Sequence, residues 1–143
     1  MKTFLSALVF AVTVLSMFAA GTNTTSPSIA PDSRCFELRT YYAAPGKLEA
    51  LNARFRDHTC ALFKKHGMEI VGFWIPTDKE QGAENKLVYM LAHQNREAAK
   101  QSWKDFQSDP EWQKVRAESE ANGKLTEKIE SVFMAATDYS PLK

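Results

Sequence analysis

The first residues of this chain that could do chemistry recur at every second position of one segment. Glu37, Arg39 and Tyr41 place an acid, a base and a phenol in the stretch 34–42. Alternate side chains of a β-strand point to the same face, so a strand here would carry a polar row. In a small two-layer fold one sheet face packs on helices. We therefore expect this row on the other face, lining a cavity or a polar interface.

Arg39 is the leading candidate in this row. Inside a cavity its guanidinium would clamp a carboxylate or an enolate through paired hydrogen bonds. The alternative is an ion pair with Glu37, or with an acid of a second copy, that fixes an interface. Both interpretations stay open at this point, because the sequence does not show which group lies opposite Arg39.

The histidines are spread along the chain and predict different roles. His58 falls on the apolar stripe of a predicted helix, one turn after Arg54. It would act there as a general base in a pocket or pack as a core residue. His66 precedes Gly67 at the helix end, where the dipole favours a cationic imidazole. His93 ends an apolar strand and would reach the mouth of a barrel or start the next loop. With no zinc spacing, phosphate-binding Gly loop or nucleophile elbow, the sequence predicts neither a metal nor another cofactor.

The elements that must position these residues follow the order β-α-β-β-α-β. A first helix is predicted for residues 45–65 from a stripe of Leu48, Leu51, Phe55, His58 and Leu62. Further strands are predicted for residues 69–75, 86–93 and 128–136. Asn95 and Asp109 have the residue types of helix caps. This order predicts an α+β, ferredoxin-like fold with a four-stranded antiparallel sheet and its helices on one face.

The sheet face away from the helices is predicted to be aromatic as well as polar. By alternation it carries, besides the row of the first strand, Gly72, Trp74, Tyr89, Leu91, His93, Ser131, Phe133 and Ala135. A patch of this kind usually marks an interface. We therefore expect a homodimer whose sheets pack face to face as a dimeric α+β barrel. The predicted ligand pocket inside it is lined by Glu37, Arg39, Tyr41, Trp74, Tyr89 and His93.

The N-terminal part of the chain differs from the rest in composition. Lys2 is followed by an almost wholly apolar stretch, residues 4–20, and by small residues up to Gly21. This pattern predicts a secretory signal peptide over 1–21, the alternative being an uncleaved anchor. Residues 22–33 are rich in Thr, Ser and Pro and predict a flexible linker before a domain at 34–143. The sequence thus predicts export, to a periplasm or to the medium.

Charge excludes one class of partner. The chain has 18 basic and 17 acidic residues, and loss of residues 1–21 removes Lys2 alone, leaving a near-neutral domain. No block of like charge occurs. We therefore expect no nucleic acid and, once the signal peptide is cleaved, no membrane among its partners.

Two cysteines, Cys35 and Cys60, are present. In an exported protein they would form one disulfide, since the predicted strand and the helix running back over it bring both to a similar height. The alternative is two free, partly buried thiols, because Cys35 shares the parity of the polar row.

Several short motifs occur in order along the chain: FELRTY at 36–41, PGK at 45–47, HG at 66–67, GFW at 72–74, DPEW at 109–112, ESVF at 130–133 and TDYSPL at 137–142. Together they make residues 34–143 resemble the NIPSNAP family. The resemblance implies a ferredoxin-like subunit of the dimeric α+β barrel superfamily. That superfamily includes cofactor-free monooxygenases, haem-degrading enzymes and isomerases, whereas NIPSNAP proteins have no agreed reaction.

Two functions follow as hypotheses. The first is an exported NIPSNAP-like dimer that binds a small organic ligand without an established reaction. The second is a cofactor-independent monooxygenase or related oxidoreductase, with Arg39 and His58 as catalytic candidates beside Trp74. The animal roles of the family, in mitochondria and vesicle traffic, are not carried over to a chain with a predicted signal peptide. The sequence does not decide whether any reaction is catalysed.

Overall fold

A computed structural model of this chain describes residues 28–143. The predicted signal peptide, residues 1–21, lies outside the described residues. The end of the predicted linker is described: Ile29 pairs with Thr137, and the buried Ala30 donates its N–H to the Ala136 carbonyl at 2.9 Å. This corrects the predicted flexible linker for residues 28–33, which pair with the C-terminal segment and belong to the folded domain. Residues 22–27 of that linker lie outside the described residues.

Four strands form one antiparallel sheet in the order β2-β3-β1-β4. They are β1 (Cys35–Ala43), β2 (Glu69–Trp74), β3 (Lys86–His93) and β4 (Thr126–Ala135). Arg39, near the middle of β1, lies opposite Tyr89 on β3 and Ser131 on β4. With the helices between them, the strands confirm the predicted ferredoxin-like order.

The first helical segment is continuous but not uniform. It consists of α1 (Leu48–Arg54), a π-helical turn (Phe55–Thr59) and α2 (Cys60–Lys65). It begins three residues later than predicted, because Gly46 has φ of 71° and this left-handed conformation cannot belong to a right-handed helix. Among residues 28–143 no helix is both long and apolar enough to cross a bilayer.

The π-helical turn changes which side chains of this segment are buried. A π turn holds one more residue than an α turn, so the apolar stripe is displaced beyond it. Arg54, Phe55 and Thr59 are buried, whereas His58 is exposed. The prediction that His58 lies on the buried stripe, as a pocket base or a core residue, is therefore wrong.

Two further helices follow β3: α3 (Arg96–Ser108) and α4 (Pro110–Ser119). Both predicted caps are confirmed. The Asn95 side chain accepts the Ala98 N–H at 2.8 Å, and Asp109 Oδ1 accepts the Glu111 N–H at 2.8 Å. The helices lie on one face of the sheet.

Asp109 also joins the start of α4 to the end of α2. Its Oδ2 lies 2.8 Å from Lys65 Nζ and 2.7 Å from His66 Nε2. The hydrogen bond from Lys65, followed by those from His66 and the Glu111 backbone, holds the pKa of Asp109 well below its ordinary value. Because the folded-state pKa is depressed, the stabilisation is complete above about pH 4 and is lost as pH falls below it.

We expect Asp109→Asn to destabilise the domain at pH 7 by a margin that shrinks at acid pH. Asparagine still caps α4 but cannot form the ion pair with Lys65. Urea unfolding of both proteins between pH 7 and pH 2 measures the margin. A margin that stays constant across this range would show that the charge of Asp109 contributes nothing.

The main core lies between the sheet and the helices and is dominated by aromatic rings. Tyr89 is fully buried at its centre, with ring centroids 5.2 to 5.9 Å from those of Tyr41, Phe55, Phe63 and Phe73. A smaller cluster around Phe36, Ala92 and Ala136 lies apart from this core. Each cluster belongs to one face of the sheet.

Candidate functional site

The polar row of β1 faces the helices. Trp103 of α3 donates its indole N–H to Glu37 Oε2 at 2.6 Å, and the ring of Tyr41 packs edge-on against Phe55, with centroids 5.6 Å apart. Arg39 lies between them on the same face. The expectation that this row faces away from the helices is therefore wrong. Polar side chains here are not a sign of solvent exposure, because Glu37 and Arg39 bond to each other and Glu37 also accepts hydrogen bonds from other elements of the fold.

Glu37 is the centre of a buried polar cluster. Its side chain is 1% exposed, and Oε1 accepts hydrogen bonds of 2.6 Å from both Arg39 Nη1 and Ser131 Oγ. Oε2 accepts the Trp103 N–H and lies 3.3 Å from His93 Nε2. Burial alone would raise the pKa of Glu37, but the hydrogen bonds from His93, Ser131, Trp103 and Arg39 outweigh it and lower the pKa to about 2.

Arg39 is held in place from two directions. Glu37 fixes one end of its guanidinium, and the indole ring of Trp103 lies 4.2 Å from the guanidinium carbon. The Tyr41 ring is 5.6 Å from the same atom. The ion pair with Glu37 foreseen from the sequence is thus formed, within one subunit. It does not exclude a ligand, because Arg39 Nε is buried without a partner among residues 28–143.

A cleft of about 630 Å³ opens beside Arg39, between the sheet and the helices. Its walls combine aromatic rings with charged and amide side chains. They are Arg39, Tyr41, Arg54, Phe106, Gln107, Trp112, Gln113, Arg116, Glu120, Lys124, Thr126 and Ile129. Such a mixture of rings and convergent polar groups is typical of small-molecule sites.

The six predicted ligand-binding residues divide into three groups. Arg39 and Tyr41 line the cleft. Glu37 lies behind Arg39, and Tyr89 and His93, 0% and 2% exposed, are buried. Their contribution to a site can only be to support the residues at its surface. Trp74 lies on the opposite face, because β2 has a bulge between Ile70 and Gly72 that shifts its alternation.

Arg54 is the cleft residue that the sequence reasoning did not select. It is buried at the end of α1, and its Nη1 lies 3.0 Å from Glu120 Oε1. Its guanidinium carbon is 5.3 Å from the ring of Trp112. The signal was an arginine three residues after Leu51, inside the apolar stripe of the first helix. Arg116, Lys124 and Thr126 had no such signal, because the return from α4 to β4 cannot be placed from local patterns.

The two cysteines are free in the structure. Cys60 lines an apolar groove of about 420 Å³ with Phe73 and Trp74 of β2. Cys35 lies on β1, which β3 separates from β2. Burial raises the pKa of both thiols, so neither is activated as a nucleophile. Within residues 28–143 no three His, Cys, Asp or Glu residues are grouped so as to hold a metal ion.

The other face of the sheet, which we call the open face, is largely apolar. On it Leu38 lies between Met90 of β3 and Val132 of β4. Val132 and Trp74 are 54% and 50% exposed. The indole of Trp74 lies over Gly72, where an added Cβ would come within 2.9 Å of the ring. The open face therefore presents an apolar surface around Leu38 and a polar end at Tyr42, Lys128 and Glu130, in place of the polar cavity predicted there.

The sheet order and the cleft define an α+β domain of ferredoxin-like topology with a pocket between its sheet and its helices. The family model of NIPSNAP proteins matches residues 36–141. This chain belongs to the NIPSNAP family, as its motifs indicated.

Solved structures share the fold. A NIPSNAP family protein of unknown function from Agrobacterium tumefaciens is 22% identical with a TM-score of 0.70, over 81% of this chain and 99% of that chain. An uncharacterised NIPSNAP-like domain protein from Burkholderia xenovorans is 16% identical with a TM-score of 0.66, over 77% and 90% of the two chains. A monooxygenase of Streptomyces coelicolor in complex with nanaomycin D is 16% identical with a TM-score of 0.52, over 75% and 90%. No curated protein matches this chain.

Proposed function

We propose that this protein is a dimeric binding domain that holds a small planar organic molecule between its sheet and its helices. The observation that carries the proposal is the cleft beside Arg39. Its volume of about 630 Å³ lies in the range of small-molecule pockets, about 300–1,000 Å³. The rings of Tyr41, Phe106 and Trp112 in its wall offer flat apolar surfaces, which favours a ligand with aromatic rings.

Dimer formation through the open face is the second part of this proposal. The apolar part of the open face exposes residues such as Trp74 and Val132 to water, and a large apolar patch is rarely left uncovered. Two copies related by a two-fold axis would cover it with the same residues from each side. The cleft lies on the opposite face of the sheet, so the dimer leaves it accessible in both subunits.

The ligand proposal is tested by thermal shift and calorimetry. We expect at least one member of a panel of quinones, polyphenols, aromatic acids and haem to raise the melting temperature. Gln113→Trp, which fills the cleft from α4, should weaken binding of that compound at least tenfold. Gln101→Trp, on the exposed surface of α3 away from the cleft, is the matched control and should bind as the parent does. Equal binding by both variants, or no stabilisation by any compound, would contradict the proposal.

The alternative function is cofactor-independent oxygenation. The monooxygenase with nanaomycin D shares the fold, but two of the three residues considered for this chemistry are not in the cleft. His58 is exposed, and Trp74 lies on the open face. Of these three residues only Arg39 lines the cleft, so we favour ligand binding over oxygenation as the function. Oxygen uptake with a polyphenol that is lost in Arg39→Ala, while the dimer persists, would reverse this ranking.

We also propose that the protein is exported, on the pattern of residues 1–21. Expression of the full chain in a secreting bacterium, followed by mass analysis of the product, tests this. A product that begins near residue 22 outside the cytoplasm is expected, and an uncleaved cytoplasmic chain would contradict it.

A further inference from the structure

Two arginines in the wall of the cleft each have a buried nitrogen with no partner in the described chain. These nitrogens are Arg39 Nε and Arg54 Nε. The hydroxyl oxygen of Thr126, which also lines the cleft, is likewise buried without a hydrogen-bond partner. The side chain of Arg54 is only 5% exposed. Buried donors without partners are uncommon in folded proteins, because each costs the free energy of its lost hydration. Because both guanidinium groups also line the cleft, their incomplete hydrogen bonding favours a ligand that carries acceptor atoms.

Both guanidinium groups are already oriented by the protein. Glu37 and the Trp103 ring fix Arg39, as described above. Arg54 is fixed by Glu120, at 3.0 Å, and by Ser119 Oγ, at 3.4 Å. A ligand acceptor would therefore meet donors whose side-chain entropy has already been lost on folding, which raises affinity.

The apolar stripe of the first helix places Arg54 here, three residues after the buried Leu51. Arg54 is the last residue of α1, and its carbonyl accepts a hydrogen bond of 3.2 Å from Thr59 Oγ1 across the π-helical turn. Arg54 and Phe55 are consecutive and both buried. In a regular helix two consecutive side chains diverge by about 100°. The buried stripe of the helix must therefore be wide here, because Arg54 lies in the cleft wall and Phe55 in the core.

The charge around the cleft favours an anion. Four cations line it, Arg39, Arg54, Arg116 and Lys124, and one carboxylate, Glu120. With Glu37 behind Arg39 the balance is four positive charges against two negative ones. Lys124 forms no ion pair within residues 28–143. The low dielectric of a cleft strengthens the attraction between the net positive charge of its walls and an anion.

We propose that the ligand of this cleft is an aromatic carboxylate, whose acid group accepts hydrogen bonds from Arg39 and Arg54 while its rings lie against Tyr41 and Trp112. This rests on the proposed binding function and specifies the chemical class of the ligand. A carboxylate matches two guanidinium donors through charge-assisted hydrogen bonds, which a neutral amide of the same shape cannot provide.

The test compares matched pairs of compounds. Aromatic carboxylic acids with one, two and three fused rings, each with its primary amide, are titrated calorimetrically into the full chain at low salt. We expect the acid of the best-fitting pair to bind at least tenfold more tightly than its amide, with an advantage that falls as salt is added. Equal affinity for acid and amide would overturn the carboxylate assignment and leave the cleft as a site for a neutral ligand. No binding of either member of any pair would overturn this assignment and weaken the binding function as well.

Variants locate the effect. Lys124→Gln removes an exposed cation of the cleft and should reduce the preference for the acid about threefold or more. Lys104→Gln, an exposed lysine of α3 outside the cleft, should leave it unchanged. Arg54→Lys keeps the charge but removes the guanidinium donors, and we expect the preference to be lost if the variant remains folded by circular dichroism. A preference retained in both Lys124→Gln and Arg54→Lys would place the anion elsewhere.

Discussion

Replacement of Glu37 by glutamine is expected to lower the free energy of unfolding by about 3–5 kcal/mol, the usual cost of removing one partner of a buried ion pair. The carboxylate is 1% exposed and accepts hydrogen bonds from Arg39, Ser131 and Trp103. Glutamine offers one acceptor oxygen in place of two and adds two donors of its own. Urea unfolding should show the loss directly, and the melting temperature should fall by roughly 10–20 °C for a domain of this size.

Glu49→Gln is the matched control for this experiment. Glu49 lies 3.6 Å from Arg56, and its side chain is 79% exposed, so its loss should change stability by less than about 0.5 kcal/mol. The pH profile provides a second check. Because the pKa of Glu37 in the fold is about 2, its stabilising effect is complete above about pH 4.5 and is lost towards pH 2. A Glu37→Gln protein as stable as the parent at pH 7 would mean that the cluster does not order the site.

Replacement of Val132 by glutamate is expected to dissociate the proposed dimer, with an increase in the dissociation constant of about 100-fold or more. Val132 lies on the open face opposite Leu38 and is 54% exposed in a single copy. In a two-fold interface the substitution occurs twice, and each carboxylate would be buried without a partner. Sedimentation velocity at micromolar concentration measures the change, and circular dichroism should show an intact fold.

Ile129→Glu provides the comparison on the same strand. Ile129 is 46% exposed but lies opposite Tyr41, on the face with the helices. The same substitution there should leave the dimer intact. A parent protein that sediments as a single copy at these concentrations would end the dimer proposal, as would equal dissociation by both variants.

Much of the fold could be predicted because its signals are local. The caps Asn95 and Asp109 and the apolar strands β2 and β3 depend on neighbouring residues only. The β-α-β-β-α-β order then restricts the topology to very few arrangements. The same local rules identified Arg39 as the residue to follow.

The facing of the sheet could not be predicted, because alternation identifies two faces without showing which one the helices cover. Glu37 was assigned to the uncovered face on its polarity. Its hydrogen bonds come from Trp103 and Ser131, which lie 66 and 94 residues further along the chain. The bulge before Gly72 shifts the alternation of β2 by one residue, and the π-helical turn after Arg54 shifts the buried stripe of the first helix by one residue. Neither irregularity has a reliable sequence signal. These two irregularities account for the separation of Trp74 from the row of Glu37 and Arg39 and for the exposure of His58.

The proposed arrangement places a ligand on the helix side of the sheet and a second copy of the chain on the open face. The three indole N–H groups report on it separately: Trp103 bonds to Glu37, Trp112 lines the cleft, and Trp74 lies on the open face. In a ¹⁵N–¹H spectrum, titration with the best-binding acid should shift the signals of Trp103 and Trp112 and leave Trp74 in place. A ligand that shifts the signal of Trp74 alone would contradict this arrangement.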